Sequence, residues 1–320
     1  GPNGSGKTNL GLAVFDIVNH LTQKMKMADY YTNFVYAGAP DSLVDFEYTF
    51  QFGSDKIDYY YSKDKLGVLK SEVLKRNGEV LLKRDDSEVV LKGFQVDERT
   101  VQLLKKGINN FSIINFIVSS FPLKKSTYLV RLINFVNSML WYQCLDRRSF
   151  IGLETSSSNI EEFIIQNDLV EDFALFLRKT SGQVFNFVEH SKDEKKLWCE
   201  YNGHKIEFLL LESTGTRSLE LLYFWLQKIK NASFVFVDEF DAFYHFDLSY
   251  RVCERLFSLK KPQVFVSTHN TYLMTNDLLR PDCNFILKDN DIKSISHRTE
   301  KELRLGHNIE KLYRGGTFSR

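Results

Sequence analysis

Cysteine is scarce in this chain. Its 320 residues hold four, Cys144, Cys199, Cys253 and Cys283, and no two of them form a C-x-x-C pair. Neither a zinc knuckle nor a redox dithiol is suggested, and sparse, unpaired cysteines fit a reducing, cytoplasmic setting. Charge of one sign is lacking as well: 42 Lys+Arg stand against 41 Asp+Glu, a formal net charge of +1. That balance excludes a uniformly basic nucleic-acid coat and leaves room for a local basic patch. Long hydrophobic runs are absent too. The most apolar stretch, Phe111 to Leu123, is broken by Asn115, Ser119, Ser120 and Pro122. It is too short to span a bilayer, and no membrane partner is expected. There is no fixed-period repeat and no sustained heptad pattern, so a long coiled coil is not indicated.

What is present is ordinary for a globular chain: 43% hydrophobic and 26% charged residues. Disorder, collagen and disulfide scaffolds are excluded on that composition. The 27 Phe and 15 Tyr can fill a large core. The length suggests about two domains, or one large domain carrying an insertion.

Periodicity divides the chain. Asn9 to about Lys26 has helical spacing, with Leu10, Val14, Ile17, Val18 and Leu21 on one side. In Val44 to Phe52 every second residue is apolar, the pattern of a half-buried strand. Ile57 to Tyr61 and Val80 to Leu82 continue it, and Asn77-Gly78 is a type I′ hairpin signal. An antiparallel sheet is expected over about 30–95. From about 97 to 180 the reading is helical: Leu129, Leu132, Ile133, Val136 and Leu140 form one face, and Ile160 to Leu177 a helical pair capped near Asn159. Strands return at Val184 to Val188, Lys196 to Tyr201 and His204 to Leu211, with a second hairpin signal at Asn202-Gly203. Helices and short apolar strands then alternate: Ser218 to Ile229, Phe234 to Val237, Asp247 to Leu259, Val264 to Ser267, a short helix near Tyr272, and Phe285 to Leu287. That alternation predicts an α/β class with a parallel sheet covered on both faces. The expected division is 1–95 with a phosphate loop and antiparallel sheet, 96–182 as a helical insertion, and 183–320 as an α/β lobe.

Gly1-Pro2-Asn3-Gly4-Ser5-Gly6-Lys7-Thr8 matches G-x-x-x-x-G-K-[ST] in full. In such a loop, backbone N–H groups turn toward phosphate oxygens, and the following helix points its positive end at the same anion. Asn3, Gly4, Ser5, Gly6, Lys7 and Thr8 are therefore candidate nucleotide-binding residues. Lys7 is expected at the β- and γ-phosphates, and the Thr8 hydroxyl on Mg²⁺. The motif ordinarily follows a strand, so the natural chain is expected to begin before Gly1. The apolar run Phe234 to Val237 ends in Asp238 and Glu239, which suit a Mg²⁺ contact and the polarisation of an attacking water. His269 ends the next strand. Ligands sit at the carboxyl ends of parallel strands, so His269 is read as a γ-phosphate sensor. Histidines 20, 190, 204, 245, 297 and 307 show no metal-ligand spacing and read as structural. Glu212-Ser213-Thr214-Gly215-Thr216-Arg217 opens a helix. Ser213 or Thr214 is a good N-cap, and a free helix N-terminus is also an anion site.

The order of these motifs resembles that of ABC-type ATPases, in the branch that holds SMC proteins, RecF-like proteins, OLD ATPases and the AAA-family ATPases of bacterial anti-phage, abortive-infection systems. The resemblance runs from residue 1 to 269. It implies an α/β, ABC-type P-loop ATPase head carrying the antiparallel subdomain and the helical insertion. It places Ser213 and Gly215 in the signature motif, Glu239 as the catalytic glutamate and His269 as the switch histidine. Departures are Glu212, Thr214 and Thr216 within the signature, Phe240 after the glutamate, and His245 at the D-loop aspartate position. These fit the anti-phage and OLD branch better than a transporter, as does the tail Gly306-His307-Asn308-Ile309-Glu310-Lys311-Leu312-Tyr313. No Q-loop glutamine can be placed from the sequence.

The resemblance implies ATP and Mg²⁺ as cofactors, ATP hydrolysis, and a homodimer or higher homo-oligomer in which ATP is sandwiched between the phosphate loop of one head and the signature of another. The expected role is a sensor or regulator subunit of an anti-phage system that controls a toxic nuclease effector. The alternative is a RecF/SMC-like ATPase of DNA repair or chromosome maintenance. A transporter subunit and a non-hydrolysing scaffold are the remaining rivals. Lys124-Lys125, Arg147-Arg148 and Lys192 to Lys196 read as solvated faces, with DNA contact open. Asp289-Asn290-Asp291 reads as a hairpin turn rather than a nuclease metal site, so a separate companion effector is expected.

Overall fold

Helix α1 (Lys7–Thr22) starts where Gly6 takes φ +88°, a conformation that suits glycine, and the Gly6 carbonyl accepts from Leu10 N–H at 2.9 Å. The computed structural model describes residues 6–22, 31, 34–85, 87–94, 96–105, 111–124, 127–143, 149–152, 159–241, 244–288 and 291–319. The chain forms two compact units, and the division falls inside α1: one unit takes 1–12 and 139–320, the other Ala13–Ser138. The three blocks expected from the sequence do not coincide with these units.

In the unit Ala13–Ser138, five antiparallel strands lie in chain order: β1 (Val44–Phe52), β2 (Asp55–Lys63), β3 (Leu69–Arg76), β4 (Glu79–Arg84) and β5 (Val89–Leu91). The turn at Asn77-Gly78 has φ +51° and +85°, the two positive values that a type I′ hairpin requires. Helices α2 (Glu98–Lys105), α3 (Ile113–Ser120) and α4 (Tyr128–Asn137) follow. The core of this unit is partly polar. His20 Nε2 meets Tyr59 Oη at 2.7 Å, and Tyr59 donates to Glu72 Oε1 at 2.7 Å. Glu72 also accepts from Ser112 Oγ at 2.6 Å and from Ile113 N–H at 2.8 Å. These buried polar groups are stable because each finds a partner. Burial drives the pKa of His20 well down, and the charges of Lys63 and Arg84 add to that; the ring is neutral.

In the other unit, β6 (Met139–Gln143) lies beside β10 (Phe234–Asp238), which lies beside β11 (Gln263–Val266), all parallel. β7 (Ser149–Gly152) pairs antiparallel with β6. The expected helical block 96–182 thus contains two strands. Leu140, grouped with the helix face that begins at Leu129, instead sits fully buried in β6, because α4 stops at Asn137. Helices α5 (Ile160–Gln166) and α6 (Val170–Ser181) match the expected pair, with Asn159 capping α5 through Glu161 N–H at 3.2 Å. Val184 to Val188 is not a strand; Phe187 makes an isolated bridge to Cys199. β8 (Trp198–Tyr201) and β9 (His204–Glu207) form the second Asn-Gly hairpin. The run after β9 turns into the short helix α7 (Phe208–Leu211).

α8 (Thr214–Ile229) buries Leu219, Leu222, Tyr223, Phe224 and Trp225 in the same core as Val235 and Val237 of β10. α9 (Phe246–Phe257) completes that layer through Val252, Cys253 and Leu256. β12 (Phe285–Lys288) does not join the parallel sheet; it pairs antiparallel with β13 (Asp291–Ser294). The tail helix α10 (Ile309–Arg314) packs with them in a small core of Ile286, Ile295, Ile309 and Phe318. Among the described residues, no helix is long and apolar enough to cross a membrane.

Candidate functional site

The carboxyl end of β10 gathers five of the residues singled out in the sequence. The strand is apolar up to Val237, and its last residue, Asp238, is 5% exposed. A carboxylate so buried needs donors. Thr8 Oγ1, in the first turn of α1, donates to Asp238 Oδ2 at 2.9 Å, and Ser267 Oγ donates to Asp238 Oδ1. The pair Thr8 and Asp238 offers hard oxygen ligands of the kind Mg²⁺ takes.

Glu239 has φ +47°, in the left-handed region that a residue with a Cβ adopts under constraint. The constraint is visible in the backbone. Ser267 N–H donates to Val237 O at 2.9 Å, and Phe240 N–H to Ser267 O at 3.3 Å. Ser267 Oγ accepts from Glu239 N–H at 2.9 Å. The bend brings Glu239 Oε1 to 3.5 Å from His269 Nε2, and Lys7 Nζ lies 2.5 Å from the same nitrogen. A cation, a carboxylate and an imidazole therefore share one point at the N-terminal end of α1. An ammonium and a helix N-terminus attract phosphate; a partly exposed carboxylate beside them can order a water.

Ser213 and Gly215 stand apart from this hydrogen-bonded group. Ser213 caps α8, accepting from Thr216 N–H at 3.1 Å, and Thr216 Oγ1 accepts in return from Ser213 N–H at 3.3 Å. The capping box fixes the helix start, and Gln183 Nε2 steadies Thr216 Oγ1 at 3.0 Å. Gly215 lies in the first turn of α8. Behind it, Glu212 Oε1 accepts from Arg217 Nε at 2.8 Å. One turn further, burial pushes the Glu220 carboxyl up to about 8; Glu212 and Glu161 add to this, and Arg217 opposes it. Asn3, Gly4 and Ser5 lie outside the described residues. His245 caps α9 without a side-chain cap bond. Asp289 also lies outside the described residues, and Asp291 pairs with Lys293 at 2.9 Å.

Two positions were missed in the sequence. Ser267 opens the Ser267-Thr268-His269 strand end that carries part of the resemblance, but its bonds to Asp238 and Glu239 emerge only once the neighbouring strand is known. Gln143 ends β6 in register with Asp238; it became visible only when β6 did.

The family profile described as "AAA domain, putative AbiEii toxin, Type IV TA system" matches residues 1–275. The chain belongs to this family of AAA-type P-loop ATPase domains. Among solved structures it is similar to the SMC head domain from Thermotoga maritima, at 17% identity and TM-score 0.37, covering 85% of this chain and 80% of that one. It is also similar to the Smc head domain with an extended coiled coil bound to the C-terminal domain of ScpA, from Pyrococcus furiosus, at 15% identity and TM-score 0.42, covering 92% and 89%. No curated protein matches the chain.

Proposed function

We propose that the chain is an ATP-binding and ATP-hydrolysing switch subunit of a bacterial anti-phage system, acting with a separate toxic effector of the nuclease class. The observation that carries the ATPase reading is the meeting of Lys7 and Glu239 at His269 Nε2, beside the Thr8–Asp238 pair. Lys7 and the start of α1 bind the β- and γ-phosphates together with Asn3, Gly4, Ser5 and Gly6. Thr8 and Asp238 hold Mg²⁺, which screens the phosphate charge when bound. Glu239 accepts a proton from the attacking water, and His269 holds the γ-phosphate end of the site. Gln143, level with Asp238, takes the place of the Q-loop glutamine. Ser213 and Gly215 serve the nucleotide held by a second copy, so ATP closes a homodimer and hydrolysis reopens it. The family description, which names a toxin of a Type IV toxin–antitoxin system, supports the defence setting.

The test is a pair of variants. Glu239→Gln keeps ATP binding and abolishes turnover, because the base is removed while Lys7 and Asp238 remain. Lys7→Ala weakens nucleotide binding itself. Native turnover in Glu239→Gln would overturn the assignment of the base. Purified alone, the chain is expected to hydrolyse ATP and to leave DNA and RNA intact with Mg²⁺ or Mn²⁺.

A further inference from the structure

The tail motif Gly306 to Tyr313 has no part in the catalytic group, yet it is built with care. Asn276 Nδ2 donates to the carbonyl oxygens of Arg304, Leu305 and His307 at 3.2, 2.8 and 3.2 Å. His307 Nδ1 accepts from Arg304 N–H at 2.9 Å, and Asn308 Oδ1 accepts from Lys311 N–H at 2.8 Å to cap α10. This turn, the start of α9 and the segment after His269 line an open cleft of about 640 Å³. The volume falls in the range of ligand sites, about 300–1,000 Å³.

The lining has a definite chemistry. Asp247, Asp277 and Arg251 line it, and so does Glu310, which is already paired with Arg314 Nε at 2.6 Å. Two carboxylates, Asp247 and Asp277, thus stand against one guanidinium, a slight acidic excess. Asn276 Oδ1 is closed off from solvent and has no hydrogen-bond partner. Phe246 and Tyr272 meet edge to face at 5.1 Å, and the Tyr272 ring already takes one cation, the Arg314 guanidinium at 4.8 Å. The rim is apolar and exposed: Leu305 is 82% accessible, Tyr272 52% and Phe246 44%. Single exposed apolar residues are commonplace, but several around one cavity mark a contact surface.

We propose that this cavity docks a basic peptide segment of a partner protein, which sets a lysine or arginine among the carboxylates and an apolar neighbour against Leu305. Carboxylates and aromatic faces both attract a cation. An acidic ligand would face like charge. The site flanks both catalytic loops. Phe246 follows Glu239 in the chain through the D-loop, and Tyr272 lies three residues after His269. A peptide that bridges Phe246 and Tyr272 therefore biases the two segments that carry Glu239 and His269. This regulatory consequence, unlike the docking itself, rests on the ATPase reading above.

The experiment is fluorescence anisotropy with a panel of labelled peptides that alternate Lys or Arg with Leu, and a matched set carrying Glu in place of Lys and Arg. Saturable binding of basic peptides is expected, and added salt weakens it. The double variant Asp247→Asn with Asp277→Asn loses affinity by about tenfold or more. Asp277→Asn alone, at an exposed position, loses part of it, and thermal melts establish that both variants fold. Leu305→Ala also weakens binding, and Lys7→Ala leaves it unchanged. The proposal is overturned if no basic peptide binds, if the glutamate set binds as well, or if the double variant binds like the parent. Self-association abolished by the same substitutions would assign the site to a second copy instead. Peptide binding without any ATP turnover would sink the ATPase reading and leave this site standing.

Discussion

Ser267 Oγ accepts the backbone N–H of Glu239 at 2.9 Å, and the same hydroxyl donates to Asp238 Oδ1. One side chain thus orients a buried carboxylate and helps hold the next residue at φ +47°. Left-handed backbone at a non-glycine residue costs on the order of 1–3 kcal/mol and persists only where neighbours impose it. Ser267→Ala removes that support without touching Lys7 or the phosphate loop. The expected result is a fall of about tenfold or more in kcat, with nucleotide affinity changed little. Steady-state ATPase kinetics alongside a nucleotide-binding titration measure both. A loss of affinity with kcat intact would count against a positioning role, and Ser267→Thr, which keeps the hydroxyl, is expected to restore turnover.

A second prediction concerns assembly. Ser213→Arg removes a capping hydroxyl, at about 1 kcal/mol of helix stability, and sets a long cation at the start of α8. The monomer should still fold and bind ATP. In the Glu239→Gln background, ATP should drive dimerisation of the parent but not of the Ser213→Arg variant, as read by light scattering. Equal dimerisation of the two would remove the role assigned to Ser213.

A third prediction follows from Glu220, which is 7% exposed and has its pKa raised from 4.5 to about 8 by burial first and by Glu212 and Glu161 next. The folded chain holds this proton more tightly than the unfolded chain does. The resulting stability is fully present below the unfolded value and is lost as pH rises through about 8. The thermal midpoint should fall between about pH 6 and pH 9, and Glu220→Gln, neutral throughout, should flatten that slope. At the alkaline end the variant should be the more stable by on the order of 1 kcal/mol or more. Parallel pH profiles for variant and parent would show that Glu220 does not govern the slope.

The fourth concerns packing beneath the phosphate loop. A Cβ added at Gly11 would lie 2.7 Å from Trp141 Cζ2 and 2.9 Å from Phe236 Cε1, so α1 would be pushed off β6 and β10. Although alanine favours helix, Gly11→Ala is expected to lower stability by about 1–3 kcal/mol. Denaturant unfolding of the variant checks the sign; a gain in stability would mean that the indole yields freely.

Much of the fold was legible in the sequence where periodicity was clean. β1 runs over the alternating segment Val44 to Phe52, and both Asn-Gly turns join paired strands. α8, α9, β10 and β11 fall within a few residues of their expected places. What failed had a physical cause. Met139-Leu140-Trp141-Tyr142 is buried on both sides, so it shows no alternation, and it follows a helix whose spacing Leu140 happens to continue. Leu209 and Leu210 extend the apolar run of β9 yet are exposed on α7. The polar core of the antiparallel unit was invisible, because His20 and Glu72 look like surface residues until Tyr59 and Ser112 are placed against them. In the candidate site, the motif residues Lys7, Thr8, Asp238, Glu239 and His269 were read directly. Ser267 and Gln143 sit beside Asp238 on adjoining strands, a neighbourhood that a linear pattern does not display.

The division of α1 between two units has a consequence for biosynthesis. Ala13–Ser138 is one unbroken stretch, whereas its companion unit is split around it. On the ribosome, the antiparallel sheet emerges whole and can pair strand by strand with its neighbours in sequence, which is the fast, local route. Lys7 and Thr8 must wait, because Asp238 and His269 are translated long after them. In chain order, strands β1 to β5 are therefore all made before β10 and β11, beside which Lys7 and Thr8 find their partners.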